Sequence, residues 1–238
     1  QNGPNKFVLT TNDKTIKLWR IKEAKNREIH SYGGIKEGVN NKYISLPKTS
    51  LQKDLSIHSN QKRAFANGHA YHINSIDTNS KNEVFISSDD LRINLWSMEV
   101  ERAAYTVTDI KPNNMESLSE VITCCNFSPF HCSTFMHSTS RGKIYVSDLR
   151  QNSNCNTSKK VLGSCEGSKN LFGEIVASIS DIKQTNCGRH VVSRDFMSVK
   201  VWDVRSELQP MKTIDIHHKL QPMLKEMYEN DSIFDKFE

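Results

Sequence analysis

Two neighbouring carboxylates are the part of this 238-residue sequence best placed to do chemistry. Asp89 and Asp90 stand together in a polar turn ahead of an apolar-alternating run, and Asp13 and Asp195 stand at similar places elsewhere. An Asp in such a turn braces it by accepting from nearby backbone N–H groups. That accounts for one Asp per turn. A second in a row is free to face a basic ligand, so Asp90 reads equally as a brace and as a binding residue. The other reactive groups do not assemble. His69, His72, His137 and His190 fall near strand ends, where an imidazole ordinarily serves as a hydrogen-bonding group. His217 and His218 are adjacent, and adjacent residues do not share a helix face as i, i+4 metal ligands would. Cys124, Cys125, Cys132, Cys155, Cys165 and Cys187 contain no Cys-x-x-Cys pair. Cys124 and Cys125 sit side by side in a strand-like run and so point to opposite faces. Free thiols in a reducing compartment are expected. There is no Gly-x-Ser-x-Gly elbow, no phosphate-binding Gly-x-x-x-x-Gly-Lys loop and no His-Glu-x-x-His. No metal or cofactor is expected, and the chain is expected not to be an enzyme.

The elements that would position these groups repeat. Segments 11–19, 88–96, 139–148 and 193–203 line up as a polar turn followed by alternating apolar positions, and three of the four carry Trp near their end. Ile16 and Leu18, Ile93 and Leu95, Ile144 and Val146, and Val199 and Val201 each repeat at period two, which is a strand signature. A second apolar stretch precedes each: Phe7–Leu9, Val84–Ile86, Thr134–Met136 and His190–Val192. Turn-linked pairs of this kind predict hairpins. Three units carry a further predicted strand upstream, at Ile73–Ile76, Val121–Phe127 and Ile175–Ile182. Modules of three or four strands repeated along a chain are the pattern of a β-propeller.

The units are spaced more widely than a propeller blade requires, so insertions are expected. The largest follows Trp19. Residues 22–64 are polar, with Gly33, Gly34 and Gly38 near the middle, and read either as a projecting hairpin or as a disordered loop. A short helix is predicted over Pro112–Leu118, capped by an Asn. Leu118 is then either buried under that helix, the commoner fate of a leucine, or exposed as an anchor. A helix is predicted over His217–Glu229, and 163–173 reads as loop. The expected organisation is 1–64, the end of one blade with the hairpin; 65–111, a blade; 112–170, a blade with a short helix; 171–232, a blade with a helical insertion; and 233–238, the start of another. The sequence opens without Met and runs at once into a strand pattern. It is expected to be a piece of a longer propeller, because both ends would otherwise leave strand edges unpaired.

The composition excludes other classes. The net charge is +5, with Lys and Arg scattered, which gives no electrostatic argument for nucleic acid. No apolar run approaches the ~18 residues of a membrane span.

Six strings carry a resemblance: 11–19, His72–Ile76, Asp89–Trp96, Asp109–Pro112, Ser198–Asp203 and Tyr228–Glu238. They resemble the B-type, 55-kilodalton regulatory subunit family of protein phosphatase 2A, in order and across essentially the whole chain. The resemblance implies an all-β, WD-repeat propeller of seven blades, of which this chain supplies the middle ones with short helical insertions. It implies a subunit that targets substrates and joins a scaffold (A) subunit and a catalytic (C) subunit. A hairpin arm in that family grips the scaffold. The insertion from Lys22 to about Leu51 takes its place, with Tyr43, Ile44 and Leu46 as candidate contacts. Phosphoprotein substrates would dock on Tyr71, His72, Asp90 and Leu118, with Asp89, Glu116 and Glu120 as acidic neighbours. The location implied is cytoplasmic, with the nucleus as a second compartment. The rival expectation is a WD-repeat adaptor of another complex, such as a ubiquitin-ligase substrate receptor.

Overall fold

The computed structural model describes residues 5–31, 34–37, 42–46, 48–100, 104–150, 160–163, 171–206 and 208–230. The expected next-blade strand at 233–238 lies outside them. The chain divides into two compact units, one made of 1–10 and 16–64, the other of 11–15 and 65–238.

The first unit is built from β1 (Asn5–Asn12), β2 (Thr15–Ser31), β3 (Gly34–Glu37), β4 (Lys42–Ser45) and β5 (Lys48–Phe65). β1, β2 and β5 form one sheet in that order, and β3 pairs with β4. The polar stretch 22–64 is therefore extended and paired through its described residues. Pairing satisfies its backbone even though few apolar side chains are available to bury. Trp19 Nε1–H donates to Thr10 Oγ1 across the sheet at 2.9 Å.

The second unit holds three four-stranded antiparallel sheets, each in sequence order. The first is β6 (Ser75–Thr78), β7 (Val84–Ser88), β8 (Arg92–Ser97) and β9 (Ala104–Asp109). The second is β10 (Ile122–Phe127), β11 (Thr134–Thr139), β12 (Ile144–Asp148) and β13 (Lys160–Leu162). The third is β14 (Asp181–Gln184), β15 (His190–Arg194), β16 (Ser198–Asp203) and β17 (Lys212–Asp215). Apolar residues of neighbouring sheets merge. Ile86 and Ile93 join Ile122, Cys125, Phe127 and Phe135 in one cluster. Met136 and Ile144 join Ile182, Val191 and Trp202 in another.

Polar side chains of the first strands stitch each sheet to the next. Cys125 N–H donates to Ser75 Oγ at 2.8 Å, and Phe127 N–H donates to Asp77 Oδ2 at 2.8 Å. Asn126 Nδ2–H donates to the Ile182 carbonyl. Consecutive four-stranded sheets, face to face and joined along their first strands, are the blades of a partial WD-repeat β-propeller.

Several elements differ from the sequence-based expectation. The strand predicted at 175–182 is instead the end of helix α1 (Leu171–Ala177) followed by β14. The loop predicted over 163–173 accordingly overlaps the start of α1. Ile175, Ile179 and Ile182 are spaced i, i+4, i+7, and a short apolar run of this kind fits either period. The helix predicted over 217–229 is a 3-10 segment, His218–Met223, leading into α2 (Leu224–Glu229). Pro222, which lacks an N–H, lies inside the first segment. The apolar alternation does not reveal the outer strands β9, β13 and β17. An edge strand exposed on both faces, as β17 is at all four positions, carries no alternation to read.

Candidate functional site

At one end of the second unit lie the turns between the middle strands of each blade and the segments that enter β6 and β10. The candidate docking residues of this unit are on those elements. The turn from β7 to β8 sets the pattern. Asp89 N–H donates to the Arg92 carbonyl at 2.9 Å. The Asp89 carboxylate then accepts from Leu91 N–H and Arg92 N–H at 2.9 and 2.7 Å.

Behind this turn runs a buried relay. Trp96 Nε1–H donates to Ser87 Oγ at 2.8 Å, and Ser87 Oγ lies 2.5 Å from His69 Nε2. His69 Nδ1 lies 2.9 Å from Asp89 Oδ2. A carboxylate only accepts, so Nδ1 carries the proton. Burial alone would push the Asp89 carboxyl up. The bond from His69 and the two turn N–H groups outweigh it and hold the group below the usual carboxylate range.

Asp89 is thus a correction to the sequence reading. It is 0% exposed, and its oxygens are occupied by the turn and by His69. It braces the blade. Asp90 is next in the chain. It is partly exposed, and its Oδ1 accepts from Asn74 Nδ2 at 2.9 Å. Asn74 Nδ2 also reaches the Ile122 carbonyl at 3.1 Å, and Ile122 N–H donates to the Asp90 carbonyl at 2.8 Å. The seam between two blades therefore holds the Asp90 backbone, and its carboxylate meets no cation among the described residues.

The remaining candidates surround this seam in part. Tyr71 is 38% exposed. His72 is exposed, with Nδ1 2.5 Å from Asp13 Oδ1. Glu116 is exposed on the 3-10 turn Met115–Ser117, and its N–H donates to the Asn114 side chain at 3.1 Å. Leu118 caps that turn and is half-buried. It is neither the core residue nor the fully exposed anchor of the two expectations. Glu120 Oε1 accepts from Tyr145 O–H at 3.1 Å, while its Oε2 is buried without a partner among the described residues. Sequence reasoning misses Asn74 and Tyr145. Nothing in the local pattern marks Asn74 as spanning two blades, or Tyr145 as reaching across its own blade to Glu120.

The hairpin candidates belong to the other unit. Tyr43 and Ile44 lie on β4, opposite Lys36 and Ile35, and their side chains lie outside the described residues. Leu46 follows β4 and is 77% exposed. Among the described residues no group of three or more His, Cys, Asp or Glu could hold a metal ion, and no helix is long and apolar enough to cross a membrane.

No family model matches the chain. Similarity to individual curated proteins runs along its whole length. It is 45% identical over 248 residues to the "Protein phosphatase PP2A 55 kDa regulatory subunit" of Drosophila melanogaster, covering 100% of this chain and 49% of that protein. It is 45% identical to the B-type PP2A regulatory subunit of Candida tropicalis, covering 97% and 47%. The protein of the same name in Schizosaccharomyces pombe is also 45% identical, with 98% and 52% covered.

The chain belongs to the B-type, 55 kDa regulatory subunit family of protein phosphatase 2A.

It spans about half the length of the curated relatives it matches. Their names are those of a regulatory subunit, not of the catalytic enzyme. Among solved structures, the β-propeller domain of Cps50 (Swd1) from Myceliophteria thermophila matches with a TM-score of 0.49 and 14% identity, covering 68% of this chain and 49% of that one. In this member of the B-type family, the brace residue Asp89 and the seam residue Asp90 are neighbours in sequence with opposite environments.

Proposed function

We propose that this chain is part of a regulatory subunit of protein phosphatase 2A that binds the scaffold (A) and catalytic (C) subunits and docks phosphoprotein substrates beside the active site. One observation carries this reading: 45% identity, over the full length of the chain, to proteins named as that subunit. The gain from such a subunit is effective concentration and orientation, with the bond chemistry left to another chain.

Within that reading, Asp90 is the central residue of the docking end. Its backbone is fixed between two blades while the residue stays partly exposed, a geometry suited to a basic segment beside a phosphosite. Tyr71, His72, Leu118 and Glu116 extend the surface around it. The β2–β5 hairpin, with Tyr43, Ile44 and Leu46, is the proposed grip on the scaffold. The whole protein would complete a seven-bladed propeller and work in the cytoplasm, and also in the nucleus.

The test is Asp90→Lys in the full-length protein. Co-precipitated substrate should fall about tenfold, the equivalent of ~1.4 kcal/mol, with scaffold and catalytic subunits retained. Undiminished substrate capture would remove Asp90 from the site. Loss of all partners together would mean that the seam is structural.

A further inference from the structure

The opposite end of the second unit carries a groove that the docking surface does not use. It lies between the second and third blades and has a volume of about 560 Å³. Phe130 and His131 reach it from the β10–β11 turn, Cys187 and Arg189 from the β14–β15 turn, and Val204 and Arg205 from the end of β16. Antiparallel order puts these turns at the far ends of the strands from Asp90.

The groove is shaped by a close approach. Gly188 has φ +72°, and a Cβ placed there would stand 3.2 Å from the Phe130 ring. Phe130 is nonetheless 50% exposed, so one face of an aromatic ring is left open beside Val204.

Arg205 is the unpaired cation at the rim of the groove among the described residues. Among the described residues no carboxylate lines the groove. Two neighbouring carboxylates are already paired: Asp203 with Arg189 at 3.0 Å, and Asp148 with Arg150 at 2.7 Å. Arg205 is exposed, and its guanidinium has no acidic partner among the described residues. The Cys187 sulfur is satisfied within its own turn, 3.1 Å from Thr185 Oγ1 and 3.4 Å from His190 Nδ1. An apolar floor with an unpaired guanidinium at its rim is complementary to an apolar side chain flanked by carboxylates.

We propose that this groove docks a short acidic segment of a protein partner, with one apolar side chain against Phe130 and Val204 and a carboxylate on Arg205. The site is separate from the proposed substrate surface and does not depend on it.

The test uses the full-length protein and a fluorescein-labelled Glu-Glu-Leu-Glu-Glu peptide, with Lys-Lys-Leu-Lys-Lys as its counterpart. Binding is read by anisotropy and by the alkylation rate of Cys187, with exposed Cys132 as the internal reference. The acidic peptide should bind and slow Cys187 alkylation relative to Cys132. Arg205→Glu and Phe130→Ala should each weaken binding by about tenfold or more, a fold-change equal to ~1.4 kcal/mol. Lys81→Glu, an equal charge change on the β6–β7 turn of the first blade, should leave binding unchanged. The proposal fails if the acidic peptide does not bind, if the basic peptide binds as well, if Arg205→Glu binds like wild type, or if Lys81→Glu weakens binding equally. It also fails if phosphatidylserine vesicles bind through Arg205 and the acidic peptide does not displace them, since the groove would then face a membrane surface.

Discussion

The first and third blades of the second unit solve the same two turns with different chemistry. At the β7–β8 turn Asp89 accepts from the N–H groups two and three residues on, and at the β15–β16 turn Asp195 does the same with Met197 and Ser198. Behind each, a Trp indole donates to a Ser: Trp96 to Ser87, and Trp202 to Ser193. In the first blade His69 then joins Ser to Asp, with both partners of the ion pair at 0% and 1% side-chain exposure. The third blade lacks that imidazole. Lys200 reaches Asp195 from the rim at 2.8 Å, with its side chain 32% exposed. In these two blades a carboxylate braces the turn, and a carboxylate out of water demands a donor. Which donor it takes sets how far the brace is sealed from solvent.

The turns at the other end repeat the lesson. In the first blade Asn79 Oδ1 accepts from Glu83 and Val84 N–H at 3.0 and 3.4 Å, and Asn82 takes φ +56°. In the third blade the corresponding residues are Thr185 and Gly188, and no amide oxygen is present. The Cys187 sulfur takes up the matching N–H groups, those of Arg189 and His190. The Thr185 hydroxyl, those two N–H groups and His190 bring its thiol down to about 6. One blade caps its turn with a side-chain amide, the other with a cysteine sulfur.

The sharpest way to break the first comparison is to remove each donor. His69→Ala strands a fully buried carboxylate and should cost about 3 kcal/mol or more. Lys200→Ala leaves a carboxylate that water can reach and should cost about 1 kcal/mol or less. Urea unfolding of the full-length protein reads both, and equal losses would mean that sealing the brace adds nothing.

A smaller effect is expected from pH. The folded Asp89 carboxyl is depressed, and the unfolded one titrates near ~3.9. Its contribution is present above that value and is lost as pH falls through the lower folded value. Wild type should therefore lose stability more steeply below about pH 4 than Asp89→Asn, as seen by unfolding across a pH series. Matching slopes would show that Asp89 gains nothing from its partners.

The smallest change is local. Thr185→Asn restores an amide oxygen to the third-blade turn and should return the Cys187 thiol toward the ordinary ~8.5. Its alkylation would then be half-complete at higher pH than the present value of about 6. Cys124 and Cys125, whose burial pushes them to about 12 and 11, should stay silent in both proteins. An unmoved Cys187 profile would mean that neither the Thr185 hydroxyl nor the turn N–H groups set it.

What the sequence determined by itself was local and periodic. Alternation at Ile93 and Leu95, and at Val199 and Val201, was enough to specify strands, because a half-buried strand must place apolar side chains two apart. The repeat of the unit was enough for blades. Long matching strings such as Asp89–Trp96 were enough for the family, since identity over many positions does not require knowing what any of them touches. The 3-10 turn after Pro112 was legible through its capping Asn. The shift to helix at Leu171–Ala177 was not, because its apolar spacing fits both periods.

Only the tertiary structure decided what the two adjacent carboxylates are. The residues alone place Asp89 and Asp90 in one turn, and only the resemblance singles out the second. Burial against His69 commits the first to the fold. The seam with Ile122 and Asn74 holds the second, partly exposed, between two blades. That division depends on residues at least 16 positions away, brought in by blade packing, and no local pattern encodes it.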